Sequence, residues 1–508
     1  MLSIVKSMAL NGINGYLVDV QIDVSAGLPH WDIVGLPDVS VKESKERVRA
    51  AIKNSGIDFP SRKIIVNLAP ANTKKEGSAF DLPLAIGILI ATEVLEGINI
   101  DKTAFIGELS LNGDVNKVNG VLPMCIDALK LGIKKVILPK INAKEAGLVK
   151  GLEVIGVESL EQTIKYLKNE VKIEKENINI DLMFEKNQKY IFDFSEVKGQ
   201  ENVKRALEIA AAGGHNCLLI GSPGSGKTML ASRLPSILPD MSFEEALEIT
   251  KIHSVAGILN DNSLVTTRPF RAPHHTISGV ALVGGGRIPK PGEISLAHSG
   301  VLFLDELPEF NRNTLEVMRG PLEDRMVSIN RVNASLTYPC NFMLIASMNP
   351  CACGYYGSKD KECTCSPQAI SRYMGKISGP LLDRIDIHIE VTPVKYNELQ
   401  EIDNTETSET IKKRVNKARE IQRKRYIEYN LYSNSELTPK LIEKYCKIDN
   451  AGQKILQNAF EKLGLSARAY GRILKVARTI ADLENEENIQ MKHLAEAIQY
   501  RSLDRKYF

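Results

Sequence analysis

The sequence lacks an excess of charge of either sign: 65 Lys and Arg stand against 62 Asp and Glu, leaving a formal +3. That excludes a chain that is basic throughout, so any contact with nucleic acid must be argued from local groups. Long apolar runs are missing too. The longest, Leu82 to Ala91, contains Pro83 and is too short to span a bilayer. No charged-then-apolar leader opens the chain, so a cytoplasmic protein without membrane contact is expected. Cysteine is sparse: Cys125, Cys217, Cys340 and Cys446 are scattered, and the other four of the eight fall within fifteen positions. The remainder is ordinary for a soluble protein, 43% apolar and 25% charged, and 508 residues suggest about three domains.

One stretch organises the rest. GSPGSGKT, comprising Gly221, Ser222, Pro223, Gly224, Ser225, Gly226, Lys227 and Thr228, follows the apolar run Cys217 to Ile220 and precedes a helix-compatible segment. The spacing GxxxxGK[ST] turns successive backbone N–H groups of a glycine-permitted loop toward an anion at a helix N-terminus. Lys227 is then placed to reach the outer phosphates of ATP, and Thr228 to ligate Mg2+. Downstream, Val301 to Leu304 is a four-residue apolar run that reads as a buried parallel strand ending in Asp305 and Glu306. Asp305 can hold the magnesium and Glu306 can orient or deprotonate the attacking water. Met343 to Asn349 is a further apolar strand ending in an amide, and Asn349 can hydrogen-bond the lytic water or the γ-phosphate, or serve as a turn residue before Pro350.

The clustered thiols Cys351, Cys353, Cys363 and Cys365 have the spacing C-x-C-x9-C-x-C across a loop at 350–366. Four thiolates leave no open position for water, which points to a structural Zn2+ centre, with an iron–sulfur centre or disulfides as the alternatives.

Residues 1–167 alternate strand and helix patterns: Tyr16 to Val24 and Lys63 to Leu68 read as strands, Ser40 to Ser55 and Ser78 to Thr92 as helices. From about Glu161 to Gln188 the sequence is rich in Lys, Glu, Asn and Ile and reads as a short helix followed by a linker, with 168–191 as the linker. Residues 192–395 carry the nucleotide motifs, and 396–508 read as a bundle of helices. Arg325 to Tyr338 alternates as a β-hairpin, with Arg331 near its tip either a phosphate contact or a solvated turn residue. Between the two motor strands, Arg268, Arg271, His274, His275 and Arg287 either contact phosphates or brace their own segment. Glu409 to Tyr426 holds eight Lys and Arg residues, a run that suits a solvated face or DNA.

Two resemblances follow from these motifs. EGSAFDLPLAIGILIA together with Gly107 to Lys140 resembles the Lon-type protease domain, whose serine nucleophile is activated by a lysine. The lysine position falls on Leu122 and the serine position at or near Phe80 and Asp81, with Ser78 the nearby hydroxyl. The resemblance therefore implies the fold without peptidase chemistry; the alternative is Ser78 assisted by Lys74, Lys75 or Lys117. The phosphate loop, the carboxylate strand, Asn349, RPFRAPHHTISGVALVGGG (Arg268 to Gly286) and GPLLDRIDIHIE (Gly379 to Glu390) resemble the magnesium-chelatase-like AAA+ ATPases, and within them the bacterial YifB/ComM group.

The fold so implied is α/β, a P-loop AAA+ core with a helical lid, preceded by an α+β Lon-protease-like (ribosomal S5 domain 2-like) domain. The resemblance implies that Arg384 reaches a neighbour's ATP, as opposed to forming a surface salt bridge. It implies that Arg468, with Arg472 as the fallback, senses phosphate from the lid. It further implies a homo-oligomer, a hexamer, acting on single-stranded or branched DNA as a helicase or branch-migration motor. A chelatase-like or protein-remodelling ATPase is the competing class, and a monomeric small-molecule kinase is a third reading.

Overall fold

The computed structural model describes residues 1–180, 183–184, 190, 192–259, 263–286, 289–331, 334–358, 361–394, 406–463 and 466–503. The chain divides into two units. One comprises 1–187 together with 246–266, and the other 188–245 with 267–508.

In the first unit, Asn14–Ser25 and Lys63–Ala69 alternate more and less buried positions because each has one face on the core, whereas Thr103–Phe105, Lys135–Pro139 and Glu153–Val157 are buried almost throughout. Leu2–Asn11 pairs antiparallel with Asn14–Ser25 across a two-residue turn, in the register Leu2↔Asp23 to Asn11↔Asn14. A seven-stranded mixed sheet results, in the order His30–Val34, Lys63–Ala69, Asn14–Ser25, Leu2–Asn11, Thr103–Phe105, Lys135–Pro139, Glu153–Val157. Helix Val39–Asn54 begins where the Asp38 carboxylate accepts the Val41 N–H at 2.8 Å, and it buries Val41, Ser44, Val48, Ala51 and Ile52 at helical spacing. Helix Asp81–Ala91 is apolar on nearly every side and buried throughout its length except at Ile90. The excursion 246–266 belongs to this unit, and the Ser254 hydroxyl donates to the buried carboxylate of Glu145.

In the second unit, five parallel strands run in the order Phe270–Arg271, Val301–Leu304, Met343–Met348, Cys217–Ile220, Ile387–Glu390. The three central ones are buried at every position, as a sheet covered on both faces requires. The order matters for function. The strand that ends at Asn349 lies between the phosphate-loop strand and the carboxylate strand, with Ile220 opposite Met348 and Leu304 opposite Ala346. Three chemistry-bearing ends therefore emerge side by side.

The segment between the two motor strands contributes an edge strand of this sheet, Phe270–Arg271, with Phe270 stacked on Phe303 at 5.9 Å. The expected hairpin is present as Met326–Arg331 paired with Ala334–Pro339. Helices Ser408–Tyr426, Pro439–Tyr445, Asn450–Leu463, Ala467–Leu483 and Met491–Gln499 follow and share an apolar core with the sheet. No helix among the described residues is long and apolar enough to cross a membrane.

Candidate functional site

The phosphate loop joins strand Cys217–Ile220 to helix Lys227–Arg233. Gly224 and Gly226 take φ of 76° and 90°, in the region where a Cβ is strained, and this lets consecutive N–H groups line one concavity. The Lys227 ammonium is held over the loop by the carbonyls of Gly221 (2.8 Å) and Ser222 (3.0 Å) and by Asn349 Oδ1 (3.1 Å). Burial pushes its pKa below the ordinary lysine value, against the pull of Asp305 and Glu306. Thr228 Oγ1 donates to Asp305 Oδ2 at 2.7 Å, so the two magnesium candidates already meet. The buried Ser225 hydroxyl has no protein partner among the described residues, as suits a loop whose partner is a bound phosphate. These donors fit ATP with Mg2+: Lys227 and the loop N–H groups would hold the phosphates, Thr228 and Asp305 the cation.

Glu306 stands at the end of the carboxylate strand in left-handed backbone, φ 53°, with its side chain 58% exposed toward the open face. Its N–H donates to Asp305 Oδ1 at 3.0 Å and to Ser347 Oγ at 3.3 Å, and Ser347 donates in turn to Asp305. Ser347 was missed in the sequence; its signal is a hydroxyl within an otherwise fully apolar buried strand end. His275 was read as a phosphate contact or a brace, and it lies 3.8 Å from Glu306 with its ring against His274 and Phe310. Gln200, also missed, donates to the carbonyls of Ser225 (2.8 Å) and Thr392 (3.1 Å) and ties the loop to the neighbouring strand.

The three arginines differ. Arg384 is 6% exposed, donating to the Pro380 carbonyl at 2.5 Å and to the Glu323 carboxylate. Arg472 is committed inside the unit. It donates to Asp386 at 3.0 Å, and Asp386 also faces His215 at 3.3 Å. Burial opposes the Asp386 charge, but Arg472, His215 and Lys475 outweigh it and hold the carboxyl well below the usual range. Arg468, in the first turn of a helix capped by Ser466, is 62% exposed and 3.8 Å from Asp383. Of the two lid arginines, Arg468 is the one available to a ligand.

The four clustered sulfurs lie within 4.8 Å of one another. Cys351 to Cys353 is 3.3 Å, Cys351 to Cys363 3.6 Å and Cys353 to Cys363 3.5 Å. A disulfide requires about 2.05 Å, whereas four sulfurs each about 2.3 Å from one zinc would be about 3.8 Å apart. The cluster can hold a metal, and the distances suit a shared tetrahedral ion.

Of the groups proposed to meet DNA, Arg268 is taken up by Glu245 and the carbonyls of Pro239 and Ser299, and Arg271 is bidentate to Glu293 at 2.6 and 2.7 Å. Both brace their own surroundings. In the long basic helix, Arg414 pairs with Glu208 and Glu406, Arg425 with Asp482 and Lys412 with Asp240, while Lys417 and Arg423 are exposed. Arg287 and the side chain of Arg331 lie outside the described residues.

In the first unit, Leu122 is fully buried, Phe80 is 1% exposed, and the Asp81 carboxylate accepts from Arg47 (2.7 and 3.0 Å) and from the Leu109 N–H (3.1 Å). Ser78 donates to Glu108. Each lysine named as its base is bonded elsewhere: Lys74 to Glu76 at 2.6 Å, Lys75 to the Pro70 carbonyl, Lys117 to the Leu259 carbonyl at 3.0 Å.

The family description "Magnesium chelatase, subunit ChlI" matches residues 193–399, "Subunit ChlI of Mg-chelatase" residues 20–142, and "Magnesium chelatase, subunit ChlI C-terminal" residues 405–501. The chain is 46% identical to competence protein ComM of Haemophilus influenzae over 508 residues, covering 99% of this chain and 98% of that protein. It is 44% identical to the uncharacterized protein YifB of Escherichia coli over 505 residues, again covering 99% and 98%. A partial likeness, 29% over 177 residues, is to Lon protease of Rhizobium meliloti, spanning 32% of this chain and 22% of that enzyme.

Proposed function

Since the chain belongs to the ComM/YifB family of magnesium-chelatase-like AAA+ proteins, we propose that it is a ring-forming ATPase that drives helicase or branch-migration work on DNA, as a homo-hexamer. The observation that carries the ATPase is the convergence of Lys227, Thr228, Asp305, Glu306 and Asn349 at three adjacent strand ends. Mg2+ at Thr228 and Asp305 supplies neutralisation of phosphate charge when bound. Lys227 orients the outer phosphates, Glu306 positions and takes a proton from the attacking water, and Asn349 holds the γ-phosphate side. Arg384 acts on the neighbour's nucleotide once it leaves Glu323, and Arg468 closes from the lid.

DNA as the substrate is supported by the relative named a competence protein and by the hairpin Met326–Arg331 with Ala334–Pro339, whose Ser328, Asn330, Ser335 and Thr337 are exposed. The commitment of Arg268 and Arg271 to Glu245 and Glu293 favours the second reading, a chelatase-like or protein-remodelling motor without a DNA grip. ATPase rate with and without single-stranded and branched DNA, alongside gel filtration with ATP, separates them. Stimulation by DNA in a hexamer is expected; no stimulation and no DNA binding at low salt would leave the remodeller. The first unit is a Lon-like fold used for structure or binding and not for peptide hydrolysis, and the four-cysteine centre holds structural zinc.

A further inference from the structure

We propose that the four-cysteine metal centre is a brace for the ATP site: metal binding sets the position of Asn349 and of the phosphate loop, so nucleotide affinity depends on a metal that never touches nucleotide. The proposal rests on the zinc reading above and extends it to what the metal controls.

Three connections run from the thiols to the phosphate pocket. The first is covalent. Only Pro350 separates Asn349 from Cys351, and both Pro350 and Cys351 are buried, so a displacement of Cys351 is transmitted along the chain to the residue that bonds Lys227. The second is a packing contact. Gly354, next to Cys353, is buried with φ 87°, and a Cβ built there would lie 2.5 Å from Pro223 Cδ and 2.7 Å from its Cγ. The backbone of the cysteine loop thus rests directly on the ring of the phosphate loop's proline. The third passes through the far pair of ligands. Cys365 precedes Ser366, which caps helix Pro367–Met374, and that helix carries the buried Tyr373, whose hydroxyl faces the backbone N–H of Asn349.

The described residues of 351–366 form no helix or strand, so no backbone ladder fixes them. A tight turn forms on the first ligand: the Gly354 N–H donates to the Cys351 carbonyl at 3.0 Å and the Tyr356 N–H to Cys351 Sγ at 3.4 Å. A tetrahedral ion joining Cys351 and Cys353 to Cys363 and Cys365 supplies the missing crosslink, as structural zinc does in chains too irregular to hold themselves.

The test uses the full-length protein. Metal content is measured elementally, and affinity for a fluorescent ATP analogue with Mg2+ is measured as purified, after chelation under reducing conditions, and after zinc is restored. One zinc per chain is expected, with affinity falling about tenfold on stripping, the cost of a lost hydrogen bond to a charged group such as that of Asn349 to Lys227, and returning on reloading. Gly354→Ala, whose added methyl forces the loop off Pro223, should keep its zinc yet bind nucleotide weakly, with little further change when zinc is removed. Nucleotide affinity that ignores zinc in the folded wild type, or a Gly354→Ala protein that binds like wild type, would overturn the brace. Should the stripped wild type unfold, the Gly354→Ala comparison decides alone. A purified protein that neither carries nor takes up zinc sinks the zinc reading itself, and the brace with it.

Discussion

Arg472→Ala and Arg468→Ala should separate two arginines that lie one helical turn apart. Arg472 is 19% exposed and neutralises Asp386, which is 9% exposed and whose other close partners are the His215 ring and the Asn216 N–H, each at 3.3 Å. Removing one member of a buried pair leaves the other charge without compensation, and the usual cost is about 3–5 kcal/mol. The partial exposure of Arg472 puts the expectation at the low end, about 3 kcal/mol. For a unit of about 300 residues, with an unfolding entropy of about 2.1 cal/mol/K per residue, that corresponds to a fall in melting temperature of about 5 °C.

Acid adds a second signature. The folded pKa of Asp386 is depressed, so its stabilisation is complete above the unfolded value of about 4 and is lost as pH falls toward the folded one. Without Arg472, burial is less opposed and the acid transition moves to higher pH. Arg468→Ala, at an exposed position, should leave the melt within about 1–2 °C of wild type while lowering ATP turnover. Scanning calorimetry across pH 3–7 and steady-state ATPase read both variants. An Arg472→Ala protein that melts like wild type, or an Arg468→Ala protein with unchanged turnover, refutes the assignment.

Arg384→Ala should bind nucleotide normally while losing turnover about 10³-fold. Mixing it with Glu306→Gln should restore part of that turnover, since one variant supplies an intact pocket and the other an intact arginine. An absence of recovery in mixed assemblies argues against action between subunits. His275→Ala should lower kcat by less than Glu306→Gln does, with KM unchanged, because it sets the carboxylate and touches no substrate; a KM effect alone would reassign it to binding. Wild type and Ser78→Ala should both leave casein intact, and turnover that disappears in the variant would restore a peptidase.

What was legible in the sequence was local. The glycines around Lys227, the four apolar residues before Asp305 and Glu306, the paired cysteines and the alternation of the hairpin each carry their signal within fifteen positions, where backbone geometry is decided. The order of the strands is not local. That the Asn349 strand lies between the other two follows from which faces pack together, and no run of residues records it. Ion pairing escaped for the same reason. Arg271 looks the same in sequence whether it meets phosphate or Glu293, and Arg472 gives no hint of Asp386, 86 positions away. The membership of 246–266 in the first unit was equally invisible: helix Phe243–Ala256 reads as a continuation of the motor, yet it crosses the boundary at Ala246.

That crossing has a consequence for biosynthesis. The chain passes between its units at 187/188, 245/246 and 266/267, so the N-terminal unit cannot be finished when its first 187 residues leave the ribosome. Until residues 246–266 emerge, Glu145 lacks the Ser254 hydroxyl, Lys117 lacks the Leu259 carbonyl, and the cavity of about 730 Å³ that Leu259 and Ser263 help to wall stays open to solvent. At about 5–20 residues per second, the wait lasts several seconds, and in that interval the phosphate loop has already been made. The first unit is therefore completed only after part of the second has been made, and a ribosome stalled between the phosphate loop and Ala246 would carry two incomplete domains, not one finished and one pending.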